Sequence, residues 1–161
     1  MTLRVPVVPE VPAVPFWIRV CQTPHMAGAP RELHPNLTPE ERRRLFLAGI
    51  ELFNGGRFYD SHEVWEDVWR STTPEPRNLF QGLIQVAAAL HQFLDLHRQE
   101  APGRTLAKAR VRLEPYAPVA CGLDVASLLD HVGIWESWLK KKEGDPPPVP
   151  VVRVVDFGAV R

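Results

Sequence analysis

Hydrophobic positions in the middle of the chain recur at helical spacing, and capping patterns mark where the predicted helices begin and end. Thr38-Pro39-Glu40-Glu41 is a capping-box pattern, and it predicts a first helix that ends at Asn54-Gly55-Gly56. Asp60 is the predicted start of the second helix, Pro102-Gly103 separates the third from the fourth, and Gly144 caps the fifth. The pattern predicts an all-α fold, a five-helix bundle whose later helices cover about residues 60–72, 77–98, 104–114 and 124–142.

The third predicted helix carries no charged residue from Asn78 to Leu94. Its apolar residues fill one broad face, whereas Gln81, Gln85 and Gln92 lie on the opposite face. Because an exposed helix face normally carries Lys and Glu, this neutral face is expected to be covered. The helix is therefore predicted to be the central one, or to form a subunit interface. The predicted assembly is a homodimer through the neutral stripe, defined as Gln81, Gln85, Ala88 and Gln92.

Proline is concentrated at the two ends of the chain, with eight of the 17 prolines in the first 39 residues and four between positions 146 and 150. Because proline excludes helix interiors and central strands, both ends are predicted to be extended. Two β-branched stretches, residues 15–20 and 149–155, are expected to lie on the bundle or to pair with each other. The predicted organisation is an extended Pro-rich N-terminal segment, a helical domain and an extended C-terminal tail, at residues 1–37, 38–143 and 144–161.

The N-terminal segment also gives an expectation about location. Prolines interrupt it every third or fourth residue, so it lacks the continuous apolar run of a signal peptide or a membrane anchor. Without an export signal, we expect a cytoplasmic protein with no membrane partner. The two cysteines, Cys21 and Cys121, are then expected to be reduced.

The charges balance, with 19 Lys and Arg residues against 19 Asp and Glu residues. This balance weakens the case for a dedicated nucleic-acid binder, because affinity for phosphate rests on excess cations. We interpret the basic faces of the first and fourth helices as solvated or ion-paired, and keep an RNA- or nucleotide-associated protein as a second alternative. The residues concerned are Arg42, Arg43, Arg44, Arg104, Lys108, Arg110 and Arg112.

A candidate site is predicted where the second and third helices meet. His62 and Glu66 are four residues apart, so both side chains project from one helix face. Such a pair can share a divalent metal, or the carboxylate can orient the imidazole as a general base. His91 lies at an apolar margin of the third helix and can converge with them if the helices pack antiparallel. The candidate catalytic or metal-binding residues are therefore His62, Glu66 and His91, supported by Glu63, Trp69, Gln81 and Gln85.

Two interpretations of this site stay open. The positions of His62 and His91 along their helices differ by about 7–8 Å, which argues against a direct bridge. Gln85 or Gln81 would then meet His62 instead. A histidine at the rim of an apolar face is also commonly satisfied by a carboxylate that has no catalytic role. The site is therefore either a structural polar network or a functional centre.

The sequence contains no complete catalytic or cofactor signature. G-x-G-x-x-G, Walker-type and G-x-S-x-G motifs are absent, and His-Glu-x-x-Glu lacks the second His of the zinc-protease helix. No cofactor is implied, although a divalent metal stays open, and no small-molecule ligand is indicated. The leading hypothesis is a non-enzymatic, self-associating binding or structural module with a buried His/Glu/Gln polar network. The first alternative is a metal-assisted or His-based enzyme that acts on a small substrate at His62, Glu66 and His91.

Two blocks of the sequence resemble the signature of the prokaryotic domain-of-unknown-function 309 family. The first is Phe53-Asn54-Gly55-Gly56 followed by FYDSHEVWEDVWR, and the second is FQGLIQVAAALH, which ends at His91. The family pattern is a His-Glu pair, then Glu and Trp on the same helix, then Gln-Gly-Leu-Ile-Gln leading to a His, and every part is present. The likeness covers about residues 40–117. The resemblance implies a small all-helical fold and supplies no activity.

Overall fold

Five α-helices make up most of the described chain, which comprises residues 37–72 and 74–155 of a computed structural model. In chain order they are α1 Pro39–Asn54, α2 Phe58–Arg70, α3 Pro74–Leu90, α4 Ala101–Leu113 and α5 Val125–Lys141. The predicted all-α, five-helix bundle is confirmed. The shorter elements are a π-helical turn, a 3-10 turn and the antiparallel strands β1 and β2, at His91–Asp95, Glu114–Tyr116, Val119–Ala120 and Leu123–Asp124.

The predicted capping box at the start of α1 is present. Thr38 Oγ1 accepts a hydrogen bond from the Glu41 N–H at 3.2 Å, and Glu41 Oε2 accepts one from the Thr38 N–H at 2.7 Å. The Thr38 N–H, and after it the Thr38 hydroxyl, hold the pKa of Glu41 below its usual value. The ionised carboxylate is therefore the form that closes the cap.

Three helices begin earlier than predicted, and one of them is α3, which begins at Pro74 and not at residue 77. α2 begins at Phe58, and Asp60 forms an ion pair with Arg57, at 2.8 Å between Oδ2 and Nε, instead of capping the helix. α4 begins at Ala101, so Pro102-Gly103 lies in its first turn rather than in a break. The N–H groups of a first turn have no intrahelical partner in any case, so a proline there removes no helical hydrogen bond.

The ends of α3 and α5 also differ from the prediction. α3 is α-helical only to Leu90, and the π turn carries helical backbone on to Asp95, short of the predicted residue 98. The cap of α5 is Lys142, which has a left-handed φ of 53° and donates its N–H to Trp138 O at 2.6 Å. Gly144, the predicted cap, lies two residues further on. Hydrophobic spacing thus locates a helix without resolving its last turn.

α3 is the centre of the bundle. It packs against both α2 and α4, while α1 packs on α2 and α5 packs on α4. Within the described residues, α3 contains more buried hydrophobic side chains than any other helix. Leu79, Leu83 and Leu90 are no more than 1% exposed, and Trp65 of α2 is completely buried beside them in the same core.

Three aromatic rings pack together where the π turn meets α5. Phe93 lies edge-on to Trp135 and Trp138, with ring centroids 5.6 and 5.4 Å away, and the two tryptophans are 5.8 Å apart. The indole N–H of Trp135 donates to Pro148 O at 3.0 Å. This aromatic cluster therefore joins the end of α3 to α5 and to the residues that follow α5.

The C-terminal segment, residues 146–155, is extended and is held against the end of α1. Val152 is 3% exposed, and its peptide N–H and C=O form two hydrogen bonds with the Asn54 side chain, both 2.9 Å long. Val154 also forms an antiparallel bridge to β2. The predicted extended C-terminal tail is confirmed over this segment. The other stretch, residues 15–20, and its predicted pairing with the tail lie outside the described residues.

The Asn54 side chain is expected to hold the C-terminal segment in place. Asn54→Ala leaves the buried Val152 peptide group without its partner, and we expect the free energy of unfolding to fall by about 1–3 kcal/mol. Because the segment is then released more often, trypsin should cleave after Arg153 faster than in the wild type. Glu51→Ala, an exposed change one turn earlier on α1, is the control. Equal cleavage rates in the wild type and in Asn54→Ala would contradict this role.

Two observations bear on the expected cytoplasmic location. None of the helices in the described ranges has both the length and the apolar character needed to cross a membrane. Cys121 is disulfide-bonded, so the expectation of two reduced cysteines is wrong for this residue. The other cysteine of the chain, Cys21, lies outside the described residues. The location itself stays a prediction.

Candidate functional site

His62, on the second turn of α2, lies between two carboxylates. Its Nδ1 atom is 3.2 Å from Glu63 Oε1, and its Nε2 atom is 3.5 Å from Glu66 Oε1. The other carboxylate oxygen of Glu66 accepts a hydrogen bond from Arg70 at 2.8 Å. The side chains of His62 and Glu66 keep 24% and 28% of their surface exposed. The predicted polar network therefore exists around His62, but it lies at the surface and is not buried.

His91 lies at the first position of the π turn. The Leu96 N–H reaches back five residues to His91 O at 3.1 Å, which is the hydrogen bond of a π turn. The Nδ1 atom of His91 is 2.6 Å from Asp95 Oδ2. An ionised carboxylate can only accept, so Nδ1 carries a proton, and in the neutral ring the lone pair is then on Nε2. Nε2 forms no hydrogen bond with any residue that the structure describes.

Tyr59 brings the two histidines onto one surface. Its ring is stacked near the His62 imidazole, with centroids 6.4 Å apart, and its centroid is 5.3 Å from that of His91. The residue is 53% exposed. Tyr59 precedes His62 by three residues and therefore shares its helix face, but its role was not predicted. We define the histidine–tyrosine surface as Tyr59, His62, Glu66, His91 and Asp95.

The arrangement of these side chains does not form a metal site. Among residues 37–72 and 74–155, no group of three or more His, Cys, Asp or Glu side chains is placed to hold a metal ion. Glu66 is instead engaged by Arg70, and the carboxylate of Asp95 is engaged by His91. The alternative in which His62, Glu66 and His91 share a divalent metal therefore gains no support from the geometry.

Gln81 and Gln85, predicted to support His62, are placed on the opposite side of α3. Gln81 Oε1 accepts from Arg112 Nε at 3.0 Å, and Gln85 Oε1 accepts from Arg112 Nη1 at 3.2 Å. Arg112 belongs to α4, so the neutral stripe faces a helix of the same chain. Thr105 of α4 adds a hydrogen bond to the Gln92 side chain at 3.3 Å. The four residues of the stripe are half-buried within the chain, so their lack of charge does not require a second copy. The homodimer itself stays a prediction.

Close approach of α3 and α4 depends on Gly82, which lies between the two glutamines. A methyl group at this position would come within 2.7 Å of the Leu113 side chain. We expect Gly82→Ala to lower the free energy of unfolding by about 1–3 kcal/mol through overpacking, despite the higher helix propensity of alanine. Urea unfolding measures this loss. The matched control is Gly133→Ala on α5, where nothing lies within 4 Å, and a gain of up to about 1 kcal/mol is expected. Effects of the same sign in both variants would contradict the contact.

Trp69 is also placed away from His62. It lies two turns further along α2, and the Arg77 guanidinium covers its ring at 4.0 Å from the centroid. Its Nε1 atom is buried with no hydrogen-bond partner among the described residues. Of the four predicted supporting residues, Glu63 is the one that the structure brings into contact with His62.

Several cations of the basic faces are used inside the fold. Arg42 donates to Ser71 O at 3.0 Å and so binds the end of α2. Arg110 forms ion pairs at 2.9 Å with both Glu114 and Glu136, and the hydrogen bond with Glu114, followed by the charge of Glu136, holds the pKa of Arg110 above its usual value. The interpretation of these cations as ion-paired is supported for Arg110.

The residues of the histidine–tyrosine surface and Gly82 all fall within one stretch of sequence. Residues 46–102 match the family model described as Domain of unknown function (DUF309). The predicted resemblance is confirmed. No curated protein matches the chain. The DUF309 stretch extends from α1 to the first turn of α4, so it contains both candidate histidines, whereas Arg112 and α5 lie beyond it.

The exposed position of His62 changes the expected effect of replacing it. A buried network would lose about 1–3 kcal/mol when one partner is removed. Because His62 and its carboxylates are partly exposed, we expect His62→Ala to lower the free energy of unfolding by no more than about 1 kcal/mol. Guanidinium chloride unfolding measures this value. A loss above about 2 kcal/mol would indicate that the imidazole is a structural part of the core.

Proposed function

We propose that the chain is a non-enzymatic binding module that self-associates through the histidine–tyrosine surface. The observation that carries this proposal is the position of Tyr59, which is 53% exposed and lies against one imidazole from α2 and one from the π turn. Tyrosine offers a large, rigid contact area with a polar end, and it is enriched at protein interfaces for that reason.

The charges around Tyr59 support a second copy of the chain as the partner. Arg57 and Asp60 form one ion pair near it, and Arg70 forms another with Glu66. An isologous interface needs a patch that is complementary to itself, and a patch that carries both signs of charge meets that condition. These pairs are partly exposed, so they contribute to the specificity of pairing more than to its affinity.

Sedimentation velocity of the full chain tests this proposal. We expect the wild type to be dimeric at micromolar concentration and Tyr59→Ala to shift towards the 18.2 kDa monomer. Ile134→Ala, which removes a side chain that is also 53% exposed but lies on α5, is the matched control and should leave the dimer unchanged. A monomeric wild type, or a dimer that Tyr59→Ala leaves intact, would overturn the proposal.

A second candidate function, general acid–base catalysis on a small substrate, is favoured by one observation. The Asp95 carboxylate orients the His91 imidazole at 2.6 Å, while Nε2 of the same ring makes no hydrogen bond with the described residues. A carboxylate that holds one nitrogen while the other can take a proton is the arrangement of a general base. Within this candidate function, the base is His91 and not His62, because both nitrogens of His62 face carboxylates.

Turnover of a panel of 4-nitrophenyl esters and phosphates tests this second candidate. If His91 is the base, His91→Asn should reduce turnover by about 10²–10⁴-fold. His62→Asn should have a much smaller effect, because that imidazole only borders the reacting position. Equal rates in the wild type and His91→Asn would contradict a catalytic role for His91. The sedimentation experiment would still test whether the chain self-associates.

A further inference from the structure

An open cavity lies between α3, the end of α4 and the 3-10 turn, on the side of α3 that carries the neutral stripe. Its volume is about 580 Å³, which is within the range of small-molecule sites. The lining residues are Asn78, Val111, Arg112, Pro115 and Tyr116. The cavity thus combines apolar and aromatic walls with one amide and one cation.

Arg112 is held in position by neutral groups. Gln81 and Gln85 accept hydrogen bonds from Nε and Nη1, and Lys108 O accepts a third from Nη1 at 3.5 Å. No carboxylate of the described ranges pairs with this guanidinium, and its Nη2 atom has no hydrogen-bond partner there. Two other arginines of α4 differ in this respect, since Arg104 pairs with Glu100 and Arg110 with two glutamates.

A fixed guanidinium without a carboxylate presents an uncompensated positive charge to the cavity. The two glutamines restrict the rotation of the Arg112 side chain, so a ligand would bind without the full entropy cost of ordering it. An arginine oriented in this way matches the oxygens of a carboxylate or a phosphate better than a lysine would. The apolar wall of Val111 and Pro115 fits the carbon part of the same molecule.

We propose that this cavity binds a small organic anion, whose carboxylate or phosphate group contacts Arg112 and whose apolar part lies against Val111, Pro115 and Tyr116. The site is separate from the histidine–tyrosine surface, and all of its lining residues except Asn78 lie beyond the DUF309 stretch. Its existence does not depend on the self-association proposed above.

Nuclear magnetic resonance titration of the ¹⁵N-labelled full chain tests the site at constant ionic strength. The probes are benzoate, phenyl phosphate and the neutral analogue benzamide. We expect at least one anion to give saturable shifts at Arg112 Nε and at backbone amides of residues 111–116, with a dissociation constant of about 1–10 mM for a ligand of this size. Comparison of benzoate with phenyl phosphate decides between the carboxylate and the phosphate.

Two variants and one control test whether binding depends on Arg112 and on the cavity wall. Arg112→Gln should weaken binding by about 10-fold or more, because a charge-assisted hydrogen bond is lost. Val111→Glu keeps Arg112 and its glutamines but adds a carboxylate at the exposed wall, and it should weaken binding similarly. Arg104→Gln removes the same charge elsewhere on α4 and should change affinity less than 2-fold.

Three results would overturn the proposal. They are the absence of saturable shifts for both anions, equal shifts from benzamide, and unchanged affinity in Arg112→Gln together with Val111→Glu.

Discussion

Trp65→Ala is expected to lower the free energy of unfolding by about 3–5 kcal/mol, the range for removing a fully buried aromatic side chain. Trp65 is completely buried on α2 and packs against Gly49 of α1, where any added side chain would overlap the indole. Its ring lies 5.7 Å from that of Phe53, and its Nε1 atom donates to Phe46 O at 3.2 Å. The replacement therefore leaves a cavity and removes a hydrogen bond between α1 and α2.

Guanidinium chloride unfolding of the wild type, Trp65→Ala and Trp65→Phe separates these two contributions. Trp65→Phe keeps most of the ring and leaves the Phe46 carbonyl without its donor, so a smaller loss of about 1–3 kcal/mol is expected. Ile134→Ala, a half-exposed change on α5, should stay within about 0.5 kcal/mol of the wild type. A loss below about 1 kcal/mol in Trp65→Ala would mean that α1 and α2 do not pack through this residue.

Leu83→Ala is expected to cost about 2–5 kcal/mol, because Leu83 is 1% exposed on the central helix. The cavity would lie in α3, which packs against both α2 and α4, so neither neighbour can close it without disturbing the other. Val111→Ala on α4, where the side chain is 63% exposed, is the matched control. A loss under about 0.5 kcal/mol in Leu83→Ala would show that α3 is not the core of the bundle.

The helices could be predicted from the sequence because their signals are local. Thr38 and Glu41 close a cap within four residues, and the apolar spacing of α3 needs no knowledge of its neighbours. The boundaries were less predictable, since a proline such as Pro102 fits a first turn as well as a break. The π turn at His91–Asp95 has no signal in hydrophobic spacing, because it widens only the last turn of a helix that is regular up to Leu90.

The candidate site was less predictable, because it depends on which helix covers which face. The lack of charge in the neutral stripe predicts that this face of α3 is packed against something. It does not predict that the partner is α4, which contacts the stripe through Arg112. The contact between Tyr59 and His91 depends on how α2 packs on α3. The spacing of residues within either helix carries no information about that packing. The side chains that pack against Gly49 and Gly82 could likewise not be predicted, because a glycine in a helix gives no sign of which side chain it admits.

The π turn has a consequence for how sequences of this kind can change in length. A π turn is wider than an α turn, and here it is the last turn of helical backbone after α3, closed by the hydrogen bond from the Leu96 N–H to His91 O. Within this turn His91 faces Tyr59, while Phe93, two residues later, packs on Trp135 and Trp138. Deleting Gln92, the residue between them, would rotate the phenylalanine by about 100° relative to the histidine, so one of the two contacts would be lost. A natural variant that is one residue shorter between these two positions must therefore reorganise one of the two contacts.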